Sequence, residues 1–167
     1  MKKIIIAILV LISVECMGQR WTAYQLGNGI AIKFPEKPTE RQVDLSRKTY
    51  SVVQELCSFA VLVTTVEPER VPQNSEDEIR ILNIVSQRDE AKEANLLISE
   101  GRFKIGDKEG LDIIKYIVNP DTKQKVKVHM RAFFYKDTLY QFSTMDISDN
   151  NKEVSNAEKL FFDSLTK

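Results

Sequence analysis

The stretch Lys123-Gln-Lys-Val-Lys-Val-His-Met-Arg-Ala-Phe-Phe-Tyr-Lys-Asp-Thr-Leu-Tyr-Gln-Phe-Ser-Thr-Met-Asp-Ile147 decides how the chain folds. From Val126 to Phe134 its residues alternate: Val126, Val128, Met130, Ala132 and Phe134 take one side, and Lys125, Lys127, His129, Arg131, Phe133 and Tyr135 the other. Successive side chains leave a strand on opposite faces, so this is a strand period and not a helical one. Lys136-Asp137 then serves as a two-residue turn into a second strand, setting Tyr135 opposite Thr138, Phe133 opposite Tyr140, Phe134 opposite Leu139 and Val128 opposite Met145. Lys-Asp is not the favoured Asn-Gly type of turn, so a three-residue loop with a shifted register stays open. One face of this hairpin is apolar throughout, and the other is aromatic near the turn and basic beyond it. Apolar groups on both faces demand cover on both, which predicts a layer on each side of the sheet.

Working outward, several further elements are expected. Gly27-Asn28-Gly29 joins strands Trp21 to Leu26 and Ile30 to Phe34, and Pro35 and Pro38 end the second. Three more strands are read at Val43 to Leu45, Thr49 to Cys57 and Phe59 to Val66. Ser75-Glu-Asp-Glu78 is a capping box, and Ile79, Leu82 and Val85 give a helical stripe that Ala91, Ala94 and Leu97 continue, which predicts a helix from about Glu76 to Leu97. Gly101 and Gly106 bracket a short strand, Arg102 to Ile105. Asp107 to Gly110 is a turn, and Leu111 to Val118 a strand closed by Asn119-Pro120-Asp121-Thr122. Val154, Ala157, Leu160, Phe161 and Leu165 repeat at three and four behind a second capping box, Ser155 to Glu158, and predict a closing amphipathic helix.

The N-terminus reads as an address and not as structure. Lys2 and Lys3 precede an apolar run from Ile4 to Ile12, too short to span a bilayer, as in a secretory signal peptide. Cys16 and Gly18 satisfy the small-x-small rule, so cleavage is expected after Gly18, leaving residues 19–167 as one domain. The rival is lipoprotein processing at Cys16, against which Glu15 stands where a small residue is wanted. Periplasm, cell surface and medium all stay open as destinations.

Composition narrows the functional classes. Acidic and basic side chains balance at 24 each in 167 residues, and cleavage after Gly18 leaves 22 basic and 23 acidic. Nothing global points to nucleic acid or to an anionic membrane surface, and no transmembrane segment is expected after cleavage. Cys57 would be the lone remaining cysteine, read as a small buried hydrophobe and not as a reactive thiol.

In order along the chain, the opening hairpin runs into Phe34-Pro35-Glu36-Lys37-Pro38. A mid-chain helix precedes the strands around Gly106 to Tyr116. Then come Arg131-x-Phe133-x-Tyr135, a tight turn, Leu139-Tyr140-Gln141-Phe142, and Ala157-Glu158-Lys159-x-Phe161-Phe162-x-Ser164. Together these resemble the PsbP-like (Mog/PsbP) α/β/α superfamily, in particular its small exported bacterial members. The resemblance implies an α+β fold, an antiparallel sheet sandwiched between helices, and a binding or accessory role. It carries over no catalytic residue, since the matched positions are strand ends, turns and core aromatics.

The residues themselves offer little catalytic chemistry. His129 is the single histidine, so a serine or cysteine triad and most zinc sites would have to draw on it. With Lys127 and Arg131 beside it and no carboxylate near in sequence, it is read as a partly exposed sheet residue. Asp146 to Asn151 has the look of a calcium loop but lacks glycine at its sixth place and glutamate at its twelfth. Asp107, Glu109 and Asp112 could pair as carboxylates, but a solvated turn accounts for them. No glycine loop for phosphate is present. No metal or cofactor is expected.

The unusual feature is one strand face carrying Lys123, Lys125, Lys127, His129 and Arg131, with Phe133 and Tyr140 beside it. It is either a solvated, edge-guarding face or a docking strip for an anionic partner or ligand. The leading expectation is a non-enzymatic exported domain that binds a protein partner in the envelope or outside the cell. The alternative is a small apolar or anionic ligand carrier using the aromatic and basic face of the 123–147 hairpin, where Phe133, Tyr135, Tyr140 and Phe142 would line a pocket.

Overall fold

The computed structural model describes residues 20–87, 95–118, 124–148 and 152–167. Residues 1–19, where a signal peptide is expected, and Asn119 to Thr122, where a turn is expected, lie outside them.

The hairpin folds as read. β8 (Lys125–Tyr135) and β9 (Thr138–Asp146) pair antiparallel, with Tyr135 opposite Thr138, Phe133 opposite Tyr140, Phe134 opposite Leu139 and Val128 opposite Met145. Lys136 takes the left-handed conformation (φ 57°) that a two-residue turn demands, although it is neither glycine nor asparagine. The preceding strands are β1 (Thr22–Gly27), β2 (Ile30–Phe34), β3 (Thr39–Gln42), β4 (Arg47–Val53), β5 (Cys57–Thr65), β6 (Asn95–Ile105) and β7 (Lys108–Val118). Among the described residues, seven strands make one antiparallel sheet in the order β3-β4-β5-β9-β8-β7-β6, so β9 and β8 sit at its centre. β1 and β2 form a separate two-stranded hairpin through Gly27, Asn28 and Gly29, all at positive φ.

Among the described residues two α-helices complete the layers: α1 (Ser75–Gln87) and α2 (Lys152–Asp163). One face of the sheet is covered by α2 together with the β1–β2 hairpin. Its core contains Ile30, Ile32, Phe34, Phe59, Val61, Phe133, Tyr140, Phe142, Phe161 and Phe162. The three hairpin rings Phe133, Tyr140 and Phe142 stack nearly parallel with centroids 5.5–6.4 Å apart. Phe161 fits between Phe34 and Phe59 at 5.5 and 5.3 Å. The opposite face is covered by α1, where Leu82 packs on Leu111, Ile113, Ala132, Phe134 and Leu139. The fold is therefore α+β, an antiparallel sheet between helical layers.

The chain's end is tied to this frame. Ala31 and Thr166 exchange both backbone hydrogen bonds at 3.0 and 2.9 Å, and the Lys33 N–H donates to Ser164 Oγ at 2.9 Å.

Several expectations need correction. Val43 to Leu45 is a turn and not a strand: Asp44 accepts from the Ser46 N–H (3.0 Å), the Ser46 hydroxyl (2.9 Å) and Arg47 (2.6 Å), and Leu45 projects fully into solvent. The strand before it is the polar Thr39–Gln42, which carries no apolar alternation to reveal it. The mid-chain helix is described only to Gln87, and Asn95 to Leu97, expected in its last turn, already belong to β6. β6 runs through Gly101 to a two-residue turn at Gly106-Asp107, so the bracketed short strand is the end of a long one, and β7 begins at Lys108. Gly110 is inside β7, where the Phe103 ring lies over it so closely that a Cβ would meet Cε1 at 2.4 Å. The cap of α1 is Asn74, whose side-chain oxygen accepts from the Asp77 N–H at 2.9 Å; Ser75 is already helical. Ser155 likewise lies inside α2, and Glu158 turns inward instead of reaching back to a cap. Leu160 faces solvent, and Phe162 takes the buried place.

Candidate functional site

Sheet register and helix placement decide the fate of the basic face. In β7 the pairing sets Asp112 opposite Arg131, and α2 lays Glu158 across β8 and β9. The result is a buried charged cluster. His129 Nε2 lies 2.6 Å from Asp112 Oδ1, and Nδ1 lies 3.0 Å from Glu158 Oε1. Arg131 Nε donates to Asp112 Oδ2 at 2.8 Å, Lys127 Nζ to Glu158 Oε1 at 3.1 Å, and the Thr144 hydroxyl to Glu158 Oε2 at 3.1 Å. Phe162 roofs the cluster, with its ring 4.3 Å from the His129 ring and 4.9 Å from the Arg131 guanidinium.

With a carboxylate on each ring nitrogen, His129 satisfies both only by carrying two protons, so the imidazolium is the form the geometry fits. Burial works against that charge, but the hydrogen bonds to Asp112 and Glu158 outweigh it and hold the ring above its ordinary value. Burial also works against the carboxylates, yet His129 beside both, Arg131 beside Asp112 and Lys127 beside Glu158 hold them below their ordinary values. These groups face one another and a phenyl roof, with no thiol among them and a hydroxyl already committed to Glu158. The arrangement is suited to clamping α2 onto the sheet.

The expected docking strip therefore does not form as an open surface. Lys125 is exposed, Lys127 and Arg131 are half-buried and salt-bridged, and His129 is 8 % exposed instead of partly open. Phe133 and Tyr140 are 0 % and 1 % exposed. Tyr140 donates its hydroxyl to the Gly27 carbonyl at 3.2 Å and accepts from Asn28 Nδ2 at 3.3 Å, so the β1–β2 turn seats on it. Phe133, Tyr140 and Phe142 are thus packed beneath other elements, while Tyr135 is partly buried against the same core. Cys57 is buried as expected, and burial followed by the charges of Asp146 and Glu158 pushes its thiol up. Asp107 pairs with Lys167 and not with Asp112. Among the described residues no group of three His, Cys, Asp or Glu is placed to hold a metal.

Glu158 and Asp112 are what sequence reasoning missed. Glu158 had a legible signal: it stands four residues after Val154 and three before Phe161, so the apolar stripe itself points its carboxylate inward. Asp112 had none, because its place opposite Arg131 depends on which strand pairs with Leu111 to Val118.

One accessible concavity lies on the other face, and a smaller one of about 370 Å³ lies beside α2, lined by Leu56, Cys57, Val154 and Ala157. Between α1, the loop after β5 and the β8–β9 turn is a groove of about 470 Å³ whose apolar lining includes Val66, Val71, Ile81, Phe134 and Leu139. Arg70 and Arg80 stand at its mouth, paired with Glu67 at 3.3 Å and Asp77 at 3.1 Å. The Val66 N–H bonds the Asp137 carbonyl at 2.7 Å and anchors the loop to the hairpin turn. A second hollow of about 620 Å³ shares Val66, Val71 and Gln73 and ends at the exposed Leu45, so the apolar surface continues around the loop.

No protein-family model matches this chain. No curated protein sequence matches it either. Solved structures do. It is similar to a Pseudomonas aeruginosa protein of unknown function, PA94, at TM-score 0.56 and 9% identity over 88% of this chain and 96% of that one. It is similar to cyanobacterial PsbP (CyanoP) from Synechocystis at TM-score 0.56 and 10% identity over 86% and 90%. The fold is PsbP-like. At such identity the likeness speaks for the arrangement of strands and helices expected from the sequence motifs, and not for any activity. Among the described residues, no helix of the chain is long and apolar enough to cross a membrane.

Proposed function

We propose that this PsbP-like chain is an exported, non-enzymatic accessory domain that engages a protein partner in the cell envelope or outside the cell, and that the groove beside α1 receives an apolar segment of that partner. Export rests on Lys2, Lys3 and the Ile4 to Ile12 run followed by Cys16 and Gly18. The observation that carries the binding role is the groove: an apolar floor of Val66, Ile81, Phe134 and Leu139 open to solvent, continued by a hollow that ends at a fully exposed leucine. Buried anchors in apolar pockets supply most of the energy of protein recognition. On the hairpin, Lys127, His129 and Arg131 are engaged with Asp112 and Glu158.

The test is site-specific photo-crosslinking in the native host, with the photoreactive residue at Gln73 on the groove rim and, separately, at Lys159 on the outer side of α2. A discrete adduct from position 73 that is missing from position 159 is expected. Equal adducts from both positions, or none from position 73, overturn the proposal.

A further inference from the structure

We propose that the outer edge of β6 pairs antiparallel with the same edge of a second copy of this chain, about a two-fold axis through Gly101. The two edges of the sheet are unlike. β3 is four residues long, and its Glu40 is engaged by Lys48 at 2.6 Å, the sort of short charged strand that blunts an edge. β6 is eleven residues long, and Ser99, Glu100, Gly101, Arg102 and Lys104 are all exposed. Leu97 and Ile98, just before them, are half exposed, so a bare edge with apolar residues is offered for pairing.

The backbone phase says which residues do the pairing. The two-residue turn at Gly106-Asp107 makes Ile105 and Lys108 a hydrogen-bonded pair, and such pairs alternate along antiparallel strands. Phe103 and Gly101 therefore turn their N–H and C=O groups toward β7, while Glu100, Arg102 and Lys104 turn theirs outward. A second β6 must use those same outward groups and keep its faces in step, so few registers remain. Setting Arg102 on the axis pairs Glu100 with Lys104 of the copy but sets Arg102 directly against Arg102, and setting Glu100 on the axis sets glutamate against glutamate. Setting Gly101 on the axis places Glu100 opposite Arg102 of the copy, and Arg102 opposite its Glu100. Opposite charges then meet twice on the face shared with α1, and at the axis no side chains collide. Neither Glu100 nor Arg102 has an ion-pair partner among the described residues, so both are available. The bulge between Leu97 and Ser99 limits the regular pairing to the residues around Gly101.

The experiment is sedimentation of the purified protein with three variants, each checked for an unchanged thermal melt. A dimer is expected, weakened about tenfold or more by Arg102→Glu, which sets two glutamates opposite two others. The double exchange Glu100→Arg with Arg102→Glu is expected to restore it, because the swapped pairs are again complementary. Gly101→Cys is expected to form a disulfide-linked dimer under mild oxidant, since residues facing each other across a two-fold non-hydrogen-bonded pair have Cα atoms about 4.5 Å apart. Should Arg102→Glu fail to fold, Glu100→Arg makes the same like-charge contact. A monomer at about 0.1 mM overturns the proposal, as does a dimer indifferent to Arg102→Glu, a double exchange that stays dissociated, or a Gly101→Cys chain that resists cross-linking. None of these outcomes bears on the groove beside α1.

Discussion

The two faces of the sheet are fed by the same pair of strands and end up as different environments. On one, α2 and the β1–β2 hairpin close over stacked rings and bury a charged cluster of three basic and two acidic side chains. On the other, α1 is the one element among the described residues that covers a smaller aliphatic core, and a groove of about 470 Å³ lies beside it. The hairpin supplies apolar side chains to both faces, so its composition does not explain the difference. What differs is the amount of cover and how it is fastened: α2 is held by ion pairs and by the strand-like end of the chain, and α1 by packing and the Lys108–Glu78 contact at 3.1 Å. A doubly covered face is suited to stability, and a singly covered one to access.

That contrast can be broken most directly by truncating its anchors. Phe161→Ala is expected to cost about 4 kcal/mol, and Leu82→Ala about 2–3 kcal/mol, because the first leaves a ring-sized void and the second a smaller one that α1 can partly close. Denaturant midpoints on the two variants check the order, and equal losses would show that α1 is held as firmly as α2.

The clamp is tested by Glu158→Ala, which leaves His129 and Lys127 without their shared carboxylate. A loss of about 3 kcal/mol is expected for breaking such a buried pair, together with faster hydrogen exchange in α2 than in α1. Unchanged exchange in α2 would mean that Phe161 and Phe162 alone hold the helix.

The smallest effect is on pH. His129 has its affinity for protons raised by folding, so its contribution is fully present below its ordinary value of 6.5 and is lost as pH rises through the higher folded value. Asp112 and Glu158 have theirs lowered, so their contributions are present above the ordinary 3.8 and 4.5 and are lost as pH falls through the lower folded values. Stability is expected to be flat between about 4.5 and 6.5 and to decline on either side. His129→Gln is expected to flatten the alkaline decline. A decline that survives this substitution would assign it to other groups.

Much of the fold was legible. Strand alternation and a turn of two residues gave the Phe133–Tyr140 and Val128–Met145 pairs, and a three-four repeat gave α2, because these patterns follow from the geometry of neighbouring residues. Where such signals were weak, the reading erred. Thr39–Gln42 has no apolar alternation, and Val43 to Leu45 has apolar residues without a strand. Asn95 to Leu97 continued a helical stripe that the sheet claimed for β6, since tertiary pairing overrides a marginal local preference.

By itself, then, the sequence determined the central hairpin, the opening hairpin at Gly27 to Gly29, the presence of both helices and the apolar character of both sheet faces, while the two-residue turn that fixes the central register was settled by the structure. Only the tertiary structure decided that the basic side of β8 would be closed over. Asp112 lies 17 residues from His129 and Glu158 lies 29, so their meeting depends on which strand becomes β8's neighbour and on where α2 crosses it. Periodicity records the face on which a side chain emerges, whereas an ion pair between distant segments forms only when packing has brought both segments to that face and excluded water from between them.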